Sequence, residues 1–187
     1  MGPGLRRDDI VLVASSTPMT SPLRAGLIAA VITLVADQAS KWWLLDVFDL
    51  AHRVAEGGAV RVTPFFDLVL AWNTGISFGW LQGDNAMVQL ALMAVKALAV
   101  IALGIWMARS RTLMATLALG MIIGGAIGNA IDRIVYGAVV DFALFHIEIG
   151  KKSFNWYVFN LADVAIVAGV IALLYDSVLG VPAAKAP

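Results

Sequence analysis

Four long apolar runs, separated by polar segments, set the pattern of this chain: residues 25–45, 86–108, 113–134 and 157–179. Each is near the roughly 20 residues, at 1.5 Å rise apiece, that cross a bilayer core. Four transmembrane helices are therefore expected. The segment 46–85 between the first two runs reads differently. Residues 60–72 are dominated by β-branched and aromatic side chains and predict β structure, with Pro64 at an edge or a bulge. Residues 76–81 are apolar but too short to span, and are placed at the interface. Spans two and three are joined tightly around Arg109-Ser110-Arg111, and spans three and four by a polar segment at 148–156.

The flanks are simpler. Residues 1–22 carry a Pro/Ser/Thr-rich stretch and no apolar periodicity, and are read as a disordered tail; residues 181–187 form a short second tail. The first span is read as an uncleaved signal-anchor. Its apolar run is too long for a cleaved leader, and Asp37 with Lys41 interrupts it where a small-residue cleavage site would be needed. Lysines and arginines tie between the two sides. The short 109–111 loop, with two arginines and no acid, decides the orientation because short loops carry the positive-inside bias. Both termini are thus expected in the cytoplasm.

Composition agrees with a lipid solvent. Hydrophobic residues make up 60% and charged residues 14%, with a mean hydropathy of +0.86. Soluble domains are about 45–50% apolar and about 25% charged. The formal net charge is zero, so no basic surface points to nucleic acid. With no cysteine, disulfides, thiol nucleophiles and cysteine metal sites are excluded. His52 and His146 lie far apart, support no zinc site, and are read as solvated loop residues.

Polar residues inside the spans carry the chemical signal, since an ionised carboxylate at mid-bilayer costs about 2.5–3.5 kcal/mol or more. Asp37 and Lys41, at i and i+4, share a helical face and can pair. Asn129, Asp132 and Arg133 share a face at the end of span three. Asn160 and Asp163 share one in span four, where Asp163 is read as seven residues into the helix. Asp141 sits between spans three and four among apolar neighbours. With an even number of spans, these positions and Asn73-Thr74-Gly75 converge on one membrane surface. Taken singly, Asp37–Lys41 reads more readily as an interfacial ion pair than as a catalytic element, Asp132–Arg133 reads equally as a helix-end salt bridge or as part of a site, and Asn73-Thr74-Gly75 reads more readily as a turn. Gly120, Gly124 and Gly128, four apart, are read as a close-packing face. Lys96, in the middle of span two, has no evident partner in the sequence.

Five segments resemble, in order and in span context, the motifs of the lipoprotein signal peptidases (signal peptidase II), which are bacterial intramembrane aspartyl proteases. They are Asp37-Gln-Ala-Ser-Lys41, Asn73-Thr-Gly-Ile-Ser-Phe78, Gly124-Gly-Ala-Ile-Gly-Asn-Ala-Ile-Asp-Arg133, Val139-Val-Asp-Phe142 and Phe159-Asn-Leu-Ala-Asp163. Ser77 replaces the usual alanine, and the N-terminal tail is longer than in many members. The resemblance implies Asp141 and Asp163 as the catalytic pair. It implies Asp37, Lys41, Asn73, Gly75, Asn129, Asp132, Arg133 and Asn160 as site-supporting residues. It also implies an all-α membrane protein of four transmembrane helices, with an extracytoplasmic β-cradle at about 46–85 and a short interfacial helix, in a peptidase domain spanning 23–180. The implied substrates are prolipoproteins whose cysteine bears a diacylglyceryl group, cut just before that cysteine at the outer surface of the inner membrane. Globomycin inhibits that family. No metal or cofactor is called for, and a monomer among membrane lipids, without nucleic acid, is expected. A proton- or ion-coupled transporter would also keep acids in its spans, but here they gather at one leaflet and no inverted repeat is visible. A non-catalytic scaffold would leave the convergence unexplained.

Overall fold

The computed structural model describes residues 21–74, 86–150 and 152–179. Helix α1 (Ser21–Trp42) continues through one wide turn, Trp43–Val47, closed by the Phe48 amide donating to the Trp43 carbonyl at 2.8 Å. A short helix α2 (Leu50–Gly57) follows, entered through Asp49 in a left-handed conformation (φ 53°). Strands β1 (Val60–Thr63) and β2 (Phe66–Asn73) come next, then helices α3 (Ala86–Arg109) and α4 (Leu113–Tyr136). Strands β3 (Val139–Ile149) and β4 (Lys152–Asn155) precede the last helix, α5 (Leu161–Leu179).

Three of these helical segments are long and apolar enough to cross a membrane: Pro22–Val47, Leu113–Tyr136 and Leu161–Val178. Large apolar side chains stand exposed along α1 (Ile28, Val31, Ile32, Val35) and α5 (Val167, Ile171, Leu174, Val178). In water such bands would be a liability, whereas hydrocarbon is their natural solvent. The chain is a membrane protein.

Helix α4 is the hub, packed against α1, α3 and α5. Its glycines make this possible. A Cβ on Gly120 or Gly124 would overlap the carbonyl oxygen of Gly26 or Ala30 on α1, and one on Gly125 would strike the Ala162 carbonyl on α5. The close-packing reading of the glycine stripe is therefore correct. Met107, Leu119 and Ile123 form the buried centre near the other end. Helix α4 starts on a Thr112 cap, whose side chain accepts from the Ala115 amide at 3.2 Å, and ends at Gly137 (φ 75°), whose amide returns to the Arg133 carbonyl.

Three expectations need correction. The 60–72 stretch is a hairpin rather than one strand, with Pro64 in the turn between β1 and β2 where no ladder amide is needed. The expected cradle at 46–85 accounts for only half of the sheet. The sheet is four antiparallel strands in the order β1-β2-β3-β4, and the second hairpin comes from the segment between α4 and α5. Consequently α5 begins at Leu161, not near residue 157, because Phe142, Ala143 and Phe159 exchange backbone bonds in sheet geometry. The interfacial piece at 76–81 lies outside the described residues.

Candidate active site

The site forms where the ends of α1 and α4, the start of α5 and the central strands of the sheet meet. Its foundation is Lys41. The ammonium of Lys41 lies 2.8 Å from Asp37 Oδ2 and 2.6 Å from Asp132 Oδ2, and donates to Asn129 Oδ1 at 3.2 Å. All three of its N–H groups are thereby used. Asp37 and Asp132 are fully enclosed and Lys41 nearly so. Asp37–Lys41 is thus one side of a buried triad, not an interfacial pair, and Asp132 pairs with Lys41 rather than with Arg133. Gln38, which the sequence reading did not single out, donates to Asp37 Oδ2, Asp132 Oδ1 and the Gly128 carbonyl. Its place between the two acids in the Asp-Gln-x-x-Lys segment was the available signal.

Each carboxylate of the triad anchors a different element. Asp132 Oδ2 accepts from the Val140 amide at 3.1 Å, fixing the start of β3 one residue before Asp141. Asp37 Oδ1 accepts from the Ala162 amide at 2.9 Å, capping α5 one residue before Asp163. Asn160 completes the cap. Its Oδ1 accepts from the Asp163 amide at 3.0 Å while Asp163 Oδ2 accepts from the Asn160 amide at 3.2 Å. This is a capping box, with Asn at the cap and Asp three residues on. Asp163 is therefore the third residue of α5, in its first turn, rather than seven residues into a span.

Asn160 also reaches the other acid: its Nδ2 donates to Asp141 Oδ1 at 2.7 Å. Asn73 Nδ2 donates to Asp141 Oδ2 at 3.1 Å. The register explains this contact. Ala71 pairs with Asp141 and Asn73 with Val139, so Asn73 and Asp141 are diagonal neighbours on one face of the sheet. Asp163 Oδ1 accepts from Asn129 Nδ2 at 2.9 Å. Three asparagines thus hold two aspartates, and Asn160 bonds to both. Arg133 stands apart, donating Nη1 to its own helix at the Asn129 carbonyl (3.0 Å). Gly75 lies outside the described residues.

The two acids sit in different surroundings. Asp141 is 3% exposed, whereas Asp163 is partly open. The Asp141 carboxyl is pushed up to about 6, chiefly by burial and further by the neighbouring Asp163 charge; bonds from Asn73 and Asn160 and the Lys41 charge pull it the other way. A carboxyl that gives up its proton near neutrality beside a second carboxyl is equipped for acid–base work.

The histidines need one correction. His52 is exposed beside Glu56 on α2, as expected of a solvated residue. His146 is buried in β3, with Nε2 3.2 Å from Asp67 Oδ2 on β2. The apolar flanks of His146 mark a strand, and the diagonal register brings the acid to it.

Residues 29–179 match the family model described as Signal peptidase (SPase) II. The chain belongs to the signal peptidase II family. The lipoprotein signal peptidase of Nitrobacter hamburgensis is 70% identical over 167 residues, covering 89% of this chain and 99% of that one. That of Rhodopseudomonas palustris (strain TIE-1) is 64% identical with the same coverage. A bacterial membrane enzyme solved by the in meso method at 1.9 Å resolution has the same fold, with a TM-score of 0.65 at 24% identity, covering 83% of this chain and 93% of that one.

Proposed function

We propose that this signal peptidase II is an intramembrane aspartic endopeptidase that removes signal peptides from diacylglyceryl-modified prolipoproteins, cutting before the lipidated cysteine, with Asp141 and Asp163 as its catalytic pair. The observation that carries the assignment is Asn160, one side chain and its backbone bonding both acids. Two carboxyls so held share one proton over a range of pH. The ionised member draws a proton from water, which attacks the scissile carbonyl. The protonated member stabilises the developing oxyanion and then protonates the leaving amine. Burial and the Asp163 charge favour the shared proton on Asp141. Asn73, Asn129 and Asn160 orient the pair, and Asp37, Lys41 and Asp132 hold the elements that carry it. No step requires a metal or a cofactor.

The enzyme sits in the inner membrane with four spans, both termini cytoplasmic and the site near the outer surface. The fourth span is α3, whose 24 residues expose Leu98, Ile101 and Ile105 to lipid. The chain is proposed to work as a monomer among membrane lipids, and its zero net charge offers nucleic acid nothing.

The test is a time course of purified protein with diacylglyceryl-modified and unmodified prolipoprotein. The modified precursor loses its signal peptide and the unmodified one is cleaved far less well. The acyl chains fix the depth of the scissile bond, and misplacement by ~1 Å can cost about 10²-fold in rate. Globomycin blocks the reaction. Asp141→Asn and Asp163→Asn each fall below about a tenth of wild-type rate while remaining folded and inserted. Equal cleavage of both precursors would reject the substrate assignment, and an active Asp141→Asn or Asp163→Asn enzyme would move the catalytic pair elsewhere.

A further inference from the structure

Lys96 is a charged residue within a long apolar helix that neither the triad nor the acid pair employs. It stands ten residues into α3, about 15 Å along the axis from Ala86. Its side chain lines an apolar cavity of about 390 Å³ between α3 and α4, open on the side where Ile101 and Ile134 stand exposed and lined also by Met93, Ile127 and Ile131. Arg133 lines the same cavity. No carboxylate of the described residues does, and among those residues Arg133 is the one charge that acts on Lys96. Two cations therefore line an apolar space that no acid among the described residues lines; Asp141, Asp132 and Asp163 act on Arg133 from outside it, whereas Lys96 has only Arg133 beside it. In hydrocarbon such charge persists where it serves a pathway or a ligand.

The cavity adjoins the acid pair. Arg133 bonds to the Asn129 carbonyl, and the Asn129 amide bonds to Asp163 Oδ1. A substrate cut at Asp141 and Asp163 must present an extended segment there, so the signal helix has to end just below. The last four carbonyls of a helix have no partner within it. In lipid, unsatisfied carbonyls are strongly unfavourable, and cations are the natural complement of a helix C-terminus. An apolar wall for the signal helix, with two cations at the level where it unwinds, meets both needs. The acyl chains have no such carbonyl row to satisfy. A cation-free groove that Asp163 itself lines, with Phe145, Trp156, Phe159 and Val167, matches them better.

We propose that Lys96 is a positioning residue for the signal peptide: seated in the cavity between α3 and α4, the C-terminal end of the signal helix offers its free carbonyls to the Lys96 ammonium. This rests on the prolipoprotein reading above. The experiment compares wild type, Lys96→Met and Lys96→Arg in nanodiscs of zwitterionic lipid, with diacylglyceryl-modified prolipoprotein as substrate. Lys96→Met keeps volume and removes the donors. Its KM rises about tenfold, equivalent to roughly 1.4 kcal/mol, with kcat within about threefold of wild type, Tm no lower, and KM restored to within about threefold in Lys96→Arg. An unchanged KM in Lys96→Met overturns the proposal. So does a fall in Tm shared by both variants, which makes the lysine structural. A defect seen only in nanodiscs containing anionic lipid overturns it too, because the occupant is then a headgroup. If wild type itself leaves the precursor uncut, the prolipoprotein reading falls as well. If wild type cuts and Lys96→Met matches it, only the role of Lys96 falls.

Discussion

At the scale of single residues, the site is an arrangement of amide donors around two acids. Asn73 and Asn160 give Asp141 one donor per oxygen, which alone would favour the ionised form. Burial outweighs them, and the carboxyl lies at about 6 against an ordinary value near 4. The sign follows for activity. The proposed catalytic pair carries one proton, which Asp141 loses as pH rises through about 6, so kcat/KM, which reports the free enzyme, is expected to fall on the alkaline side of that value. Bound substrate excludes water and raises the carboxyl further, so kcat holds to higher pH. Parallel pH profiles of kcat and kcat/KM check this, and a kcat/KM flat from pH 5 to 9 would contradict it. The polarity and spacing of Asp163 and Asn160 were plain in the sequence. Their reciprocal cap was not, because a start for α5 near residue 157 leaves both inside the helix, where no amide is free to be capped.

At the scale of elements, one ion triad aligns a strand and a helix from opposite sides of the site. Lys41, on α1, neutralises the two carboxylates that pin β3 and α5. Removing one partner of a buried charged cluster is strongly destabilising, about 3–5 kcal/mol, because the remaining charges have no water to turn to. Lys41→Met is accordingly expected to lower Tm well below that of Asp163→Asn and to abolish cleavage, through loss of alignment rather than of acid–base chemistry. Thermal unfolding in detergent, run beside the cleavage assay, separates the two causes. A Lys41→Met protein as heat-stable as wild type would show that the triad does not support the fold. The helices were legible because long apolar runs admit few alternatives. The hairpin of β3 and β4 was hidden because its apolar first half, Val139–Leu144, lacks the alternation of a half-buried strand.

At the scale of the whole molecule, the chain brings the end of α1, the end of α4 and the start of α5 to one end of the helix bundle and leaves the 109–111 connection at the other. The absence of cysteine makes this directly testable. Glu56→Cys is expected to react with a membrane-impermeant maleimide added outside spheroplasts, and Ser110→Cys only after the membrane is opened. The reverse pattern would invert the topology. Sequence by itself determined the solvent, the four long helices and the five polar segments, because a bilayer allows apolar residues to run unbroken and makes every exception conspicuous. It also determined that those segments belong together, since helix direction alternates from span to span. Only the tertiary structure decided which polar group meets which. It took Asp132 from its neighbour Arg133 and gave it to Lys41, ninety-one residues earlier in the chain, set Asn73 diagonally across a sheet from Asp141, and turned Arg133 toward α3. These choices depend on strand register, on where a helix starts and on how closely glycine lets two helices approach. Each is settled by contacts distant in sequence, which no local spacing encodes.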